Sequence, residues 1–367
     1  MDAAAGGVRT VDAARARDGP GHEHGRAPPG GTRAGGAGRD DGGMDSHSVA
    51  PGMHGDDEVL ALLQRRRAAG RRVGSHRDGR RVALVIGGGG MRGAYAGGMV
   101  HALEEAGLAG CFDEVWGSSA GAFVGTALVL GHGENAARIF SDDMACREFI
   151  DPRRFGTRRP MVSLDHLLDH ILVESKPTDW DSLVTSPVPL NVMVTRPSDL
   201  APHVLTGLPD GGTWKAAMRA TAAIPLLAGP PVRVGEDEWI DGSVGDPLPV
   251  ARALRSGATH VLALMTRTAD ELVTPPADAR TPLWARSLDR LAPGLGRMAQ
   301  DASRHGECLP LLTDAAHPDR EGAHLLTLTP HSSAGVRGLT TDRTRVRAAA
   351  RIGYETVAEM LGGAAAA

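Results

Sequence analysis

Val82-Ala83-Leu84-Val85-Ile86-Gly87-Gly88-Gly89-Gly90-Met91-Arg92-Gly93 is the stretch whose reading decides the fold. A branched apolar run stops at four consecutive glycines, and a helical pattern begins at Arg92. Strand, tight loop and helix in that order open a βα unit. Glycines at such a junction let backbone N–H groups approach a ligand with no Cβ in the way. The helix behind them adds the positive end of its dipole, so the loop is built to hold negative charge. A second junction of the same kind follows at Val115-Trp116-Gly117-Ser118-Ser119-Ala120-Gly121-Ala122. It fits G-x-S-x-G, where a serine sits on a strand-to-helix turn so sharp that the residues two places either side must be small. Gly117 and Gly121 meet that need, which selects Ser119 over Ser118 as the presented hydroxyl.

Working outward, the pattern alternates. Strands are expected at 81–86, 113–116, 189–195, 203–206 and 259–265, with a hairpin over 232–234 and 238–240 and a late strand at 324–328. Helices are expected at 92–106, 120–130, 213–222, 247–256 and 341–361, and 142–174 reads as mostly helical with a break at Pro152. Strands alternating with helices give an α/β fold, a three-layer α/β/α sandwich whose mainly parallel central sheet is covered on both faces. Residues 1–55 are rich in Gly, Arg and His with hardly a large apolar side chain, and are expected to be a disordered tail. Residues 56–80 read as a short basic helix and linker, 81–267 as the catalytic core, and 268–367 as a peripheral helical region completing the same domain. The looser stretch 268–322 reads equally as a lid over an acyl-binding groove or as a peripheral layer.

Composition bounds the function. With 367 residues, 41% of them hydrophobic, the chain can bury a sizeable core. A net charge of −4 and 3% aromatic residues give no footprint or stacking platform for nucleic acid. Three cysteines, Cys111, Cys146 and Cys308, follow no disulfide or zinc spacing, which argues for a reducing compartment and against a metal site. No apolar run is long enough to span a bilayer, and the start of the chain lacks the apolar segment of a secretory signal. The expected setting is cytoplasmic, peripheral to the membrane. Arg65, Arg66, Arg67, Arg71, Arg72, Arg77, Arg80 and Arg81 form a basic approach to the first strand, read either as a solvated face or as attraction to anionic headgroups.

An anion-holding loop and an exposed serine are two parts of an acyl-transfer site. Backbone N–H donors at Gly88, Gly89 and Gly90 would stabilise an oxyanion, each worth on the order of 10²–10³ in rate. Arg92 would orient the loop or help hold charge. The loop also satisfies G-x-G-x-x-G through Gly88, Gly90 and Gly93, with Asp113 beyond it, but the ribose-binding acid of a nucleotide-binding oxidoreductase belongs at the end of the second strand. Here G-x-S-x-G occupies that place, and no cofactor is expected. A serine hydroxyl needs a base. Asp241, in Trp239-Ile240-Asp241-Gly242-Ser243, is one candidate. His260, His324 and His331 are others, since all follow Ser119 in the chain.

At this point the chain resembles the patatin-like phospholipases, in particular their bacterial members. Gly88-Gly89-Gly90-Met91-Arg92-Gly93 is similar to their oxyanion loop, and Gly117-Ser118-Ser119-Ala120-Gly121 to their elbow. Arg219-Ala220-Thr221-Ala222-Ala223-Ile224-Pro225 resembles a third block, and Asp241-Gly242-Ser243 with Asp246-Pro247-Leu248-Pro249 a fourth. The likeness covers about Arg81 to Arg267. It implies a dyad with Ser119 as nucleophile and Asp241 as base, no histidine and no metal. It implies hydrolysis of acyl esters of lipids (phospholipid, lysophospholipid or acylglycerol) through an acyl-enzyme. A regulatory lipid-binding protein with a degenerate site is the alternative, and the intact Ser119, Asp241 and glycine loop weigh against it. Ser243 departs from the family's Gly or Ala, and its hydroxyl is expected either to be tolerated or to hydrogen-bond Asp241 and lower its basicity. A carboxylate base also needs partial desolvation, which Trp239 and Ile240 suit.

Overall fold

The computed structural model describes residues 9–10, 52–70, 76–272 and 283–363. Its elements open with two short strands, β1 (Arg9–Thr10) and β2 (Gly52–Gly55), and helix α1 (Asp57–Ala68). Next come β3 (Val82–Ile86), α2 (Gly93–Glu105), β4 (Glu114–Ser118), α3 (Ala120–Val129) and α4 (Gly133–Ile139). They are followed by β5 (Leu190–Thr195), β6 (Pro202–Thr206), α5 (Gly211–Thr221), β7 (Val232–Val234), β8 (Asp237–Asp241), β9 (His260–Leu264) and β10 (His324–Thr329). The helix Arg343–Gly363 ends the described chain.

The sheet runs β1-β6-β5-β4-β3-β9-β10-β2. Its centre, β5 to β10 in that order, is parallel, and antiparallel pairs close both edges. β3 shows why the layers form. Val82, Leu84 and Ile86 point into one apolar cluster with α2 and α3, while Ala83 and Val85 point into a second with the helix Val250–Arg255. A central parallel strand must be apolar on both faces, and this one is fully buried along its length. On the larger face α2 and the C-terminal helix meet almost backbone to backbone. A Cβ on Gly98 would lie 1.8 Å from the Ala350 carbonyl oxygen, and one on Gly353 would lie 1.9 Å from that of Tyr95.

The basic segment, read as a solvated face or as attraction to anionic headgroups, answers part of its charge within the protein. α1 buries Val59 and Leu63 in the core, and Arg66 is only 3% exposed. Arg66 clamps Asp78, Asp113 and the carbonyls of Cys111 and Arg80, at 2.8–2.9 Å. Arg65 pairs with Glu58 and Arg81 with the buried Glu114. Arg66 is spent internally, while Arg65, Arg67, Arg77, Arg80 and Arg81 stay exposed; Arg71 and Arg72 lie outside the described residues. Of the stretch expected to be a tail, two described pieces are edge strands: β1 along β6 and β2 along β10. Two- and four-residue strands held by backbone pairing leave no apolar pattern to read. The rest of that stretch lies outside the described residues.

The helical expectation for 142–174 fits only its ends, Phe140–Met144 and His166–Ser175. Between them an irregular loop is pinched shut by the pair Ile150↔Val162, with Asp151 N donating to Met161 O at 2.9 Å. The described part of 268–322 packs beside the sheet: Arg297 donates to Leu200 O and Arg304 to Gly245 O. None of its residues lines the cavity at Ser119 described below, which favours the peripheral layer over the lid.

Candidate active site

β4 enters the elbow and α3 leaves it, with Ser119 at φ 51°, ψ −123°. A non-glycine residue there is strained, and the surrounding contacts hold it. A Cβ on Gly117 would lie 2.6 Å from the backbone of Ala122, and one on Gly121 would lie 2.3 Å from the Ile86 carbonyl. Both positions must therefore be glycine for the turn to close against β3. Thr221, at the end of α5, ties the elbow down from the side. Its hydroxyl accepts from Ser119 N at 2.9 Å and donates to Met193 O at 2.6 Å.

Asp241 reaches the same place by a different route. β5 pairs with β4 as far as Ser118↔Met193, and at the next residue β8 takes over with Asp241↔Val194. The end of β4 and the end of β8 thus abut along one strand. The Ser119 hydroxyl donates to Asp241 Oδ2 at 2.7 Å. Ser119 is 6% exposed and Asp241 fully buried. The other carboxylate oxygen, Oδ1, accepts from the backbone N–H of Ser243 at 2.8 Å, and Thr195 Oγ1 donates to the Asp241 carbonyl at 2.8 Å. The Ser243 hydroxyl, expected as a possible partner of Asp241, instead meets Ser118 Oγ at 3.3 Å.

The glycine loop crosses above. Gly88 differs from expectation, because its N–H donates to Pro247 O at 3.0 Å and its carbonyl accepts from the Thr266 hydroxyl. It is an anchor. Met91 N donates to Gly338 O at 3.0 Å, and Arg92 N turns back to Gly89 O at 3.2 Å. The Arg92 guanidinium lies 4.0 Å from Glu271 Oε2, so its charge is answered there. Gly89 and Gly90 take part in fixing the loop through their carbonyls, and their N–H groups donate none of the loop's bonds among the described residues.

Beneath Ser119 lies an apolar cavity of about 580 Å³, mouth included. Met91, Phe123 and Phe140 line one side, and Ile150, Val162, Leu164 and Ile224 the other. The histidine candidates are elsewhere. His260 and His324 stack on each other at 4.8 Å at the starts of β9 and β10, whereas the site is at the far ends of these parallel strands. His331 Nδ1 lies 3.2 Å from Thr356 Oγ1 on the C-terminal helix. Asp113, the would-be ribose acid, accepts from Arg66 and Val82 N at the opposite end of the sheet from the loop. Sequence reasoning missed Thr221, Thr195 and Thr266. Thr221 stood inside a quoted block, but nothing in its spacing marked a hydroxyl as a strut.

Residues 84–254 match the family model for patatin-like phospholipases, and the chain carries a domain of that family. The chain is 29% identical over 213 residues to the uncharacterized protein YjjU of Escherichia coli (strain K12), a match covering 57% of this chain and 57% of that protein. It is 46% identical over 72 residues to the lysophospholipase NTE1 of Chaetomium globosum, which is 18% of this chain and 4% of that one. The chain therefore spans little more than half of one relative and a small piece of the other. Among solved structures, VipD from Legionella pneumophila superposes with a TM-score of 0.41 at 15% identity, covering 77% of this chain and 67% of VipD. Human GIVD cytosolic phospholipase A2 superposes at 0.40 and 11% identity, covering 85% and 67%. Among the described residues no helix is long and apolar enough to cross a membrane.

Proposed function

We propose that this protein hydrolyses acyl esters of lipids, of the phospholipase A or lysophospholipase type, with Ser119 as nucleophile and Asp241 as base. The observation that carries the reading is the direct 2.7 Å hydrogen bond from Ser119 Oγ to Asp241 Oδ2 beside an apolar cavity. The acyl chain enters that cavity and brings the ester carbonyl to Ser119. As Oγ attacks, its proton passes to Asp241 Oδ2, and the carbonyl electrons become an oxyanion. The N–H groups of Gly89 and Gly90, with that of Ala120 at the start of α3, receive this charge. Gly88 holds the loop still, and Arg92 braces it from behind. Collapse of the tetrahedral intermediate expels the alcohol, which takes the proton from Asp241 and leaves an acyl-serine. Water then repeats the sequence, giving up its proton to Asp241 and releasing the fatty acid. No step calls for a metal or cofactor. The three unpaired thiols suit a cytoplasmic setting.

The test is reaction with a fluorophosphonate probe, alongside turnover of short- and long-chain acyl esters. The native chain should label at one serine and release fatty acid. Ser119→Ala should do neither while keeping its melting temperature. Labelling of the Ser119→Ala protein would sink the assignment.

A further inference from the structure

The loop between Ile150 and Val162 reads Asp151-Pro152-Arg153-Arg154-Phe155-Gly156-Thr157-Arg158-Arg159-Pro160-Met161, with four arginines around one phenylalanine. Its base belongs to the cavity wall, since Ile150 and Val162 both line the space beside Ser119. Its tip points away from the core: Phe155 is 66% exposed, and Arg158 and Arg159 are exposed. Arg153 is answered by Asp151 through two hydrogen bonds. Among the described residues no salt bridge joins Arg154, Arg158 or Arg159 to a carboxylate; the Arg154 guanidinium donates to the Glu148 backbone carbonyl, with the Glu148 and Asp151 carboxylates near enough to feel its charge. All three line an open groove whose far wall is Pro225 and Leu226, the turn directly after the cavity residue Ile224. The one other cation in the groove, Arg219, is held by Asp165 and Asp169. Leu226 is 51% exposed, and Leu291, next to the groove residue Ala292, is 67% exposed. Leu164 lines both groove and cavity, so the two spaces are neighbours across one side chain.

We propose that this face, with Arg154, Arg158 and Arg159 around the exposed Phe155 and with Leu226 and Leu291 across the groove, docks the protein on an anionic phospholipid bilayer. The partner follows from the chemistry of the patch. Three guanidiniums outside any salt bridge want phosphate oxygens, and a Phe and two Leu side chains held out in water want an apolar boundary next to them. A bilayer surface offers both at the same depth. The docked orientation presents the cavity mouth to the leaflet, so a lipid moves from membrane to Ser119 without crossing water. This deepens the hydrolase reading and rests on it for that last consequence alone. Each basic side chain near an anionic surface is worth about fivefold in partitioning, so neutralising three should cost on the order of 100-fold.

The test is co-sedimentation of the full chain carrying Ser119→Ala, which keeps the lipid intact, with phosphatidylcholine vesicles made with and without phosphatidylglycerol. The protein should bind the anionic vesicles strongly and the zwitterionic ones weakly, and added salt should weaken the binding. The triple variant Arg154→Gln, Arg158→Gln, Arg159→Gln should lose on the order of 100-fold. Phe155→Ser should lose several-fold with the salt dependence unchanged. Arg65→Gln with Arg67→Gln, on the helix at the opposite ends of the strands, should bind as the parent does. Melting temperatures of the loop variants should match the parent, because no core contact is removed. Equal binding to both vesicle types, or a triple variant that binds like its parent, overturns the docking face. Fluorophosphonate labelling of the chain with Ser119 intact reads the chemistry separately: vesicle binding without labelling removes the hydrolase reading, and labelling without anionic preference removes the docking.

Discussion

The 2.7 Å hydrogen bond from Ser119 Oγ to Asp241 Oδ2 is what makes Asp241 the base we propose. Asp241→Asn keeps the shape and the hydrogen bond from Ser243 N but cannot take a proton. It should lower ester turnover by about 10³-fold or more with the fold intact. His260→Ala, His324→Ala and His331→Ala should each keep most of the activity. One folded but inactive histidine variant would return the chain to the Ser-His-Asp class. Ser118→Ala should label almost normally, because its hydroxyl is buried against Ser243. Thr221→Val removes the strut between Ser119 N and Met193 O and leaves two buried backbone groups unpaired, a cost of about 2 kcal/mol. Its labelling rate should fall about tenfold while the protein melts lower; full labelling at native speed would show that the elbow keeps its shape unaided. Ser119, Gly117, Gly121 and Asp241 were legible in the sequence because each is required by a turn or a motif. Thr221 was not, because any hydroxyl at the end of a helix looks alike until the fold says what it faces.

At the scale of elements, the elbow depends on how near β3 and α3 approach. Gly121→Ala pushes a methyl to within 2.3 Å of the Ile86 carbonyl, with backbone on both sides and nothing flexible to yield. That variant should lose several kcal/mol of stability and nearly all labelling. A soluble, fully labelled Gly121→Ala protein would mean that the turn has slack the contacts deny. The central strands were readable from their length and branching, since a strand buried on both faces has no choice but to be apolar. The cavity wall was not. Ile150, Val162 and Leu164 come from a segment closed by isolated backbone pairs, which has no period for a pattern to reveal. Pro152, Pro160 and Gly156 broke the helix expected there. The basic helix hid one exception: a run of arginines reads the same whichever partner answers each, and here Asp78 and Asp113 answer the buried Arg66.

For the whole molecule, the ends of the parallel strands opposite the site carry two imidazoles in contact, His260 buried and His324 part-exposed. Burial, and then the neighbouring His324, push His260 down to about 4 from its ordinary 6.5. The folded state therefore holds His260 neutral, while the unfolded chain takes up a proton below about pH 6.5. Stability from this group is full above that pH and drains away as pH falls from about 6.5 to about 4, by about 3 kcal/mol at most. Melting temperatures measured from pH 7 to 4 should fall more steeply for the native chain than for His260→Gln; parallel slopes would contradict the assignment. The sheet has a further consequence at this scale, through β5. Ser119 and Asp241 arrive on segments far apart in the chain, and what aligns them is that Met193 and Val194 are consecutive. β5 is thus a ruler with two adjacent marks. A one-residue slip of β8 along it would turn the Asp241 side chain to the opposite face of the sheet, and no change of rotamer could bring it back. Activity in this protein is therefore digital in register: an insertion in the β7–β8 turn that preserves pairing should be silent, and one that shifts it by a single residue should be null.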